Sequence, residues 1–134
     1  MATDPKALIA RARECLERAY APYSNFRVAA AVCDEQGRVF TGVNVENISY
    51  GLSVCAERVA IFAAVAAGAR RITALAVVAG GADLLSPCGA CRQVLAEFAA
   101  PDVPVYGDAP GQPHCWTVSE LLPNGFAASH LRRG

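Results

Sequence analysis

Apolar residues recur every three or four positions in the first part of the chain, at Leu8, Ile9, Ala12, Cys15, Leu16 and Ala19. This spacing is typical of a helix that buries one face. Thr3 or Asp4 can cap the start of this helix, and Pro5 suits its first turn. Pro22 should end it, and residues 23–25 are polar enough to predict a loop.

Two apolar runs follow, and a polar turn separates them. The first covers Val28 to Cys33, the turn is Asp34-Glu35-Gln36-Gly37, and the second run covers Val39 to Val45. Two runs of this length around a glycine-containing turn predict an antiparallel hairpin. The stretch 47–53 is polar and contains glycine, so it predicts a loop.

The middle of the chain predicts a helix and then a buried strand. Ala56 to Ala67 is rich in helix-forming residues, and Gly68 is suited to end the helix. Ile72 to Ala79 is continuously apolar, as in a strand buried on both faces, and Gly80-Gly81 ends it.

The remaining elements are shorter. A helix is expected from about Gly89 to Ala99, ending before Pro101, and short strands at Val103–Tyr106 and Cys115–Val118. Ser119–Leu122 suits a short helix. The order of one helix, a hairpin and then alternating helices and strands predicts an α/β fold, with one mixed sheet covered by helices.

The composition suits one domain that spans residues 1–134, since 54% of the residues are hydrophobic and the length allows a real core. No apolar run reaches the roughly 18 residues that a membrane span needs. The first residues lack the basic-then-apolar order of a signal peptide, so we expect a cytoplasmic protein.

Charge helps to exclude one class of partner. Twelve basic residues balance twelve acidic ones, for a net charge of zero. A protein that binds polymeric nucleic acid usually carries a basic excess, so such a partner is not expected. A hydrophobic chain without net charge also suits an oligomer that buries part of its surface.

The six cysteines divide into two groups by their spacing. Cys15, Cys33 and Cys115 have apolar or mixed neighbours and are interpreted as small core residues. The others belong to two short motifs, Cys55-Ala56-Glu57 and Pro87-Cys88-Gly89-Ala90-Cys91. Disulfides are disfavoured because thiols stay reduced in the cytoplasm.

The two motifs together predict a catalytic zinc site. Each lies at the start of an expected helix, where free N–H groups and the helix dipole favour a thiolate. Cys55, Cys88 and Cys91 would supply three ligands and leave a fourth position open, whereas structural zinc sites usually use four protein ligands. Soft thiolate ligands favour zinc.

Glu57 distinguishes an enzyme from a structural zinc site. A carboxylate next to the open position can accept a proton from an activated water and pass it to a leaving nitrogen, as in zinc-dependent base deaminases. Three thiolates with Zn²⁺ sum to one negative charge, which Arg58 or Arg92 could offset, with Arg58 the better placed. Alternatively both arginines are surface residues of their helices.

Beyond the metal motifs, the chain resembles the homotetrameric zinc-dependent cytidine deaminases from Ala19 to about Leu131. The segments that carry the resemblance are Ala21-Pro22-Tyr23-Ser24-Asn25-Phe26, Gly42-Val43-Asn44-Val45-Glu46-Asn47, Cys55-Ala56-Glu57-Arg58, Pro87-Cys88-Gly89-Ala90-Cys91-Arg92-Gln93, and Glu120-Leu121-Leu122-Pro123 with Phe126. The resemblance implies a three-layer α/β fold, one Zn²⁺ per subunit, and deamination of cytidine and deoxycytidine to their uridine forms in pyrimidine salvage.

It also implies roles for single residues. Asn44 and Glu46 would hold the ribose 3′-hydroxyl, Phe26 would pack against the pyrimidine, and Ala56 would offer backbone contacts to the base. Phe126 would reach the site of a neighbouring subunit. From the residues alone, Asn44 and Glu46 share one side of an extended segment, which also suits a polar solvent-facing surface.

Two positions depart from the family pattern. Arg27 stands beside Phe26, and Ala29 replaces a glycine, so that its β-carbon could tighten packing near the site. Three other functions stay open at this point: a deaminase of another aminopyrimidine, such as an antibiotic of the blasticidin type, an editor of nucleic acid, and a zinc module without catalytic activity.

Overall fold

Five strands form one mixed sheet in a computed structural model that describes residues 4–81 and 84–131. The strands are β1 (Val28–Asp34), β2 (Val39–Val43), β3 (Ile72–Ala79), β4 (Pro104–Gly107) and β5 (His114–Thr117). Their order in the sheet is β2-β1-β3-β4-β5. Only β3 and β4 pair in parallel, among the strands that the structure describes.

In the described part of the chain, four α-helices accompany the sheet: α1 (Pro5–Cys15), α2 (Ala56–Ala66), α3 (Gly89–Phe98) and α4 (Val118–Leu121). Short 3-10 turns lie at Leu16–Arg18, Tyr50–Leu52 and Ala128–Leu131. No helix within residues 4–81 and 84–131 is long and apolar enough to cross a membrane.

The side chains of β1 alternate between two cores. Val28, Ala30 and Val32 join a cluster with α2, α3 and α4. Ala29, Ala31 and Cys33 face the other way, into a cluster with α1. This alternation is the period of two that a strand imposes. It makes β1 the middle of three layers, so the expected α/β fold is confirmed.

Several boundaries agree with the sequence. β3 covers Ile72–Ala79 as expected. The predicted end of α2 is also observed: Gly68 has φ of 105°, a left-handed conformation that glycine adopts without strain. Asp4 caps α1 by accepting a hydrogen bond from the Lys6 backbone N–H at 3.2 Å. The alternative cap, Thr3, lies outside the described residues.

The segment after α1 differs from the prediction. Helical structure ends at Arg18 rather than at Pro22, because the Tyr20 backbone pairs with the segment that follows β2. Tyr20 donates to the Asn44 carbonyl and accepts from the Glu46 N–H, both at 2.9 Å. Strand β2 correspondingly stops at Val43, since the chain beyond it pairs in isolated bridges. β4, β5 and α4 each differ by one residue from their expected bounds.

Two interpretations of small residues need correction. Cys15 and Cys33 are buried as expected, but Cys115 is exposed. It lies on β5, the edge strand, which is only partly covered. Ala29 does not tighten the predicted site, because its side chain packs on the α1 side of the sheet, away from α2. Arg27 is exposed.

Helix α2 approaches strand β2 closely, and Gly42 makes the approach possible. A β-carbon at position 42 would lie 2.6 Å from the Ala56 carbonyl oxygen and closer still to the Ala60 backbone nitrogen. Both atoms belong to the helix backbone, which cannot move aside like a flexible side chain. The absent side chain of Gly42 therefore sets the position of α2 on the sheet.

We predict that Gly42→Ala destabilises the protein by about 3 kcal/mol or more, at the upper end of the cost of overpacking, because the new methyl group would displace α2. Urea unfolding at matched protein and zinc concentrations measures this. Gly81→Ala is the control, since a β-carbon there has no neighbour within 4 Å among the residues that the structure describes. Equal urea midpoints for the two variants would contradict the close approach.

Candidate active site

Three cysteines meet where two helices begin. Cys55 is the N-cap of α2, Cys88 is the N-cap of α3, and Cys91 lies in the first turn of α3. The Cys88 sulfur is 3.7 Å from that of Cys55 and 3.4 Å from that of Cys91. All three sulfurs lie within 4.8 Å of one another. The structure thus brings together the three predicted ligands.

The thiols strongly affect one another's ionisation. The Cys91 thiol has the largest influence on Cys55 and, together with Arg58, lowers the pKa of Cys55 to about 5 despite burial. The interaction with Cys55, followed by burial, raises the pKa of Cys91 far above its usual range. One thiolate therefore forms readily, and a second needs a compensating positive charge. A soft divalent cation such as Zn²⁺ fits this donor set.

Arg58 provides part of the positive charge at this cluster. Its Nη2 donates to the Cys55 sulfur at 3.5 Å. Its Nε is buried and has no hydrogen-bond partner among the described residues. The guanidinium thus contacts the Cys55 thiol, and the residue as a whole is partly buried.

Glu57 is buried in the first turn of α2, only 4% exposed. Burial raises the pKa of its carboxyl to about 7, and the nearby Cys55 thiolate raises it as well, against the effect of Arg58. A buried carboxyl beside metal-binding thiols is unusual for a structural zinc site. It is the arrangement that a proton-transferring group requires.

Cys55, Glu57 and Cys88 line one cavity of about 250 Å³. Its wall is formed by Phe26, Val28, Asn44, Cys55, Ala56, Glu57, Leu85, Ser86 and Cys88. Sequence reasoning did not identify Val28, Leu85 or Ser86. The first two carry no polar signature, and only the position of Ser86 just before the Pro87-Cys88 motif could have indicated it.

Asn44 fixes the wall of this cavity through its side-chain amide. Its Oδ1 accepts from the Val28 backbone N–H at 2.9 Å, and its Nδ2 donates to the Phe26 carbonyl at 2.8 Å. The predicted ribose contact of Asn44 therefore comes from a side chain that also holds the backbone on both sides of residue 27.

Glu46 does not line this cavity but another one, together with Tyr23, Ser24 and Tyr50. Its carboxylate accepts from the Tyr23 and Ser24 backbone N–H groups at 3.0 and 3.1 Å, and from the Ser24 hydroxyl. The hydrogen bond from the Ser24 hydroxyl is the main reason that the pKa of Glu46 lies below its usual value.

Phe126 is, with Glu46, the second predicted binding residue that does not line the cavity of Glu57. It lines a different cavity, near Ala96 and Leu122, and its ring is 62% exposed. The Gln93 side chain donates to the Phe126 carbonyl at 2.8 Å, and the ring stacks on His130. An exposed aromatic ring held by two contacts is well placed to meet another protein surface.

Among the described residues, Arg92 makes no hydrogen bond to the cysteine sulfurs, in contrast to Arg58. Its guanidinium donates to the Pro87 carbonyl at 2.7 Å, the Leu121 carbonyl at 2.9 Å and the Ser86 hydroxyl at 3.1 Å. It is not a free surface residue either, as it is partly buried. Arg92 ties the loop before Cys88 to α4.

Known proteins of one family are similar to this chain over most of its length. Residues 2–107 match the model of the family described as the cytidine and deoxycytidylate deaminase zinc-binding region. A cytidine deaminase of Halalkalibacterium halodurans is 48% identical over 129 residues, covering 96% of this chain and 98% of that protein. One from Sporosarcina psychrophila is 46% identical, covering 96% and 95%.

Solved structures agree in fold. The crystal structure of cytidine deaminase from Burkholderia pseudomallei superposes with a TM-score of 0.86 at 46% identity, covering 92% of this chain and all of that one. That of Mycobacterium tuberculosis superposes with a TM-score of 0.83 at 42% identity, covering 94% and 99%. With a cluster of three cysteines in place, the chain belongs to the zinc-dependent cytidine deaminase family.

Proposed function

We propose that this protein hydrolyses the exocyclic amine of cytidine and 2′-deoxycytidine, giving uridine and 2′-deoxyuridine with release of ammonia. One observation carries the proposal: Glu57 and the thiols of Cys55 and Cys88 line a single cavity, together with Phe26 and Asn44. A metal site, a proton-transferring group and a surface for a flat base are thus within reach of one ligand.

Zinc held by Cys55, Cys88 and Cys91 would supply a Lewis acid that makes water reactive near neutral pH. Glu57 would accept a proton from the attacking water and deliver it to ring N3 as the water oxygen adds to C4. A second transfer through the same carboxyl would move the proton of the new C4 hydroxyl to the C4 amine, which leaves as ammonia while the C4 carbonyl forms. Arg58 would offset the excess negative charge of the three thiolates.

Other residues of this cavity, together with Glu46 from a second cavity, would bind the nucleoside. Phe26 would pack against the pyrimidine, and the Ala56 backbone would contact the base. Asn44 and Glu46, which follow β2 on one side of an extended segment, would hold the ribose 3′-hydroxyl. The hydrogen bonds that Asn44 makes to the backbone fix its direction in advance of binding.

We infer further that residues 1–134 act as one catalytic unit within a homotetramer in the cytoplasm. Large apolar side chains are exposed around the cavity that Glu46 lines, among them Ile48 at 72% and Tyr50 at 73%. Exposed apolar residues in such a group suit an interface between subunits. Phe126 would then complete the site of a neighbouring copy.

Ammonia release from a panel of substrates tests the reaction. We expect turnover of cytidine and deoxycytidine, and none of cytosine, blasticidin S or single-stranded DNA, because the sugar contacts at Asn44 and Glu46 select a nucleoside. Preferred turnover of blasticidin S or of DNA would replace the proposed substrate. A zinc-containing protein that releases no ammonia from any of the five would be a non-catalytic module.

Glu57→Gln should retain one zinc per chain and lose cytidine turnover by roughly 10²–10⁴-fold, the contribution typical of general acid–base catalysis. Metal analysis and steady-state kinetics measure the two quantities. Glu14→Gln is the control, since Glu14 is an exposed residue of α1. A Glu57→Gln protein with full activity would remove Glu57 from the mechanism.

Mixing two inactive proteins tests the role of Phe126. Phe126→Ala retains Glu57 but cannot complete a neighbour's site, whereas Glu57→Gln retains Phe126. After the two are unfolded and refolded together, mixed tetramers should regain a fraction of the wild-type activity, because intact Phe126 rings would meet intact Glu57 sites. Activity that stays at the sum of the separate proteins would place the work of Phe126 outside the neighbour's site.

A further inference from the structure

We propose that Ser24 is a positioning residue for substrate binding, whose hydroxyl links the carboxylate of Glu46 to the backbone of Phe26. The inference deepens the proposed function and rests on it, since Phe26 and Glu46 are taken as nucleoside contacts. Ser24 itself would not touch the reacting atoms.

The Ser24 hydroxyl makes two hydrogen bonds of opposite sense. It donates its proton to one oxygen of the Glu46 carboxylate. It also accepts from the Phe26 backbone N–H at 3.0 Å. A hydroxyl is suited to this double role because it has one donor and two acceptor lone pairs. The two predicted binding residues are therefore connected through one atom.

Glu46 holds the start of the same loop through its other oxygen. That oxygen accepts from the backbone N–H groups of Tyr23 and Ser24. Hydrogen bonds to an ionised carboxylate are stronger than those between neutral groups. The charge of Glu46 thus fixes residues 23 and 24, and the Ser24 hydroxyl extends this order to residue 26.

The loop needs such support because its conformation is not favoured on its own. Asn25 has φ of 59°, in the left-handed region. Residues other than glycine seldom adopt this backbone conformation, although asparagine does so more easily than most. Phe26 is 47% exposed, so core packing alone does not determine the position of its ring. Hydrogen bonds to its backbone must do so instead.

Two side chains provide those bonds at opposite ends of residue 26. Ser24 holds the N–H, and the Asn44 amide holds the carbonyl. Without the Ser24 hydroxyl, Phe26 would keep only its contact to Asn44, and its ring would sample more directions. The cost would appear in substrate binding, because the ring would have to be ordered when the pyrimidine enters.

Steady-state kinetics of Ser24→Ala with cytidine test this. We expect KM to rise by about tenfold, equivalent to 1.4 kcal/mol, with kcat within about twofold of the wild-type value. Ser24→Thr keeps the hydroxyl and should restore KM to within about twofold. Ser119→Ala removes a hydroxyl from α4, whose neighbour is Thr117, and should leave both constants unchanged.

The double variant Ser24→Ala/Phe26→Ala shows whether Ser24 acts through Phe26. It should have the KM of Phe26→Ala alone, since no ring is left to position. A further rise in KM on adding Ser24→Ala would overturn the link to Phe26. An unchanged KM in the single Ser24→Ala protein, or a Ser24→Thr protein as impaired as Ser24→Ala, would overturn the role of the hydroxyl.

Hydrogen exchange of the Phe26 amide, followed by NMR, separates this inference from the proposed reaction. Exchange should accelerate in Ser24→Ala and not in Ser119→Ala, whether or not cytidine is turned over. A wild-type protein that released no ammonia would defeat the proposed function alone. Equal exchange rates of this amide in wild-type and Ser24→Ala proteins would defeat the positioning role alone.

Discussion

The close seat of α2 on the sheet is the constraint on which the candidate site depends. The helix carries a metal-binding thiol, a buried carboxyl and a guanidinium within its first turn, so any shift of the helix moves all three together. Its sheet-facing side is built mainly of small residues, Ala56, Ala60 and Ala64, each fully buried. Opposite them Gly42 offers no side chain at all, which allows backbone to approach backbone.

The charged groups at the site influence one another's protonation, because folding places them close together. The Cys55 thiol favours negative charge, while the pKa values of the Cys91 thiol and of the buried Glu57 carboxyl are raised. Arg58 lies at the thiols and offsets part of the charge. A metal ion supplies the rest. Removing any one of these groups alters the protonation of the others, so the cluster acts as a single electrostatic unit.

Much of this arrangement is local in sequence and was predictable. A few neighbouring residues are enough to predict the starts of the helices, the apolar strand Ile72–Ala79 and the shared site of Cys88 and Cys91. Prediction failed where distant segments decide the outcome. Tyr20 is not helical because its backbone pairs with Asn44 and Glu46, and the sequence around Tyr20 gives no signal of these distant partners.

The same limit applies to side chains. The apolar or mixed neighbours of Cys115 in the sequence predict a core residue, but its exposure depends on β5 being an edge strand. Arg92 follows a metal motif, yet one of its partners is the Leu121 carbonyl, which only the tertiary fold brings near. Phe126 is the extreme case, because its predicted partner belongs to another molecule and a single chain gives it no neighbour in the catalytic cavity.

The cysteine cluster also joins parts of the chain that are distant in sequence. Cys55 precedes β3 in the sequence and Cys88 follows it. An ion bound by both cysteines therefore links the chain segments before and after this strand. The unfolded chain has no such preformed site, and a ligand that binds only the folded state adds its binding free energy to stability. Zinc supply would therefore govern how long the protein survives in the cell as well as how fast it works.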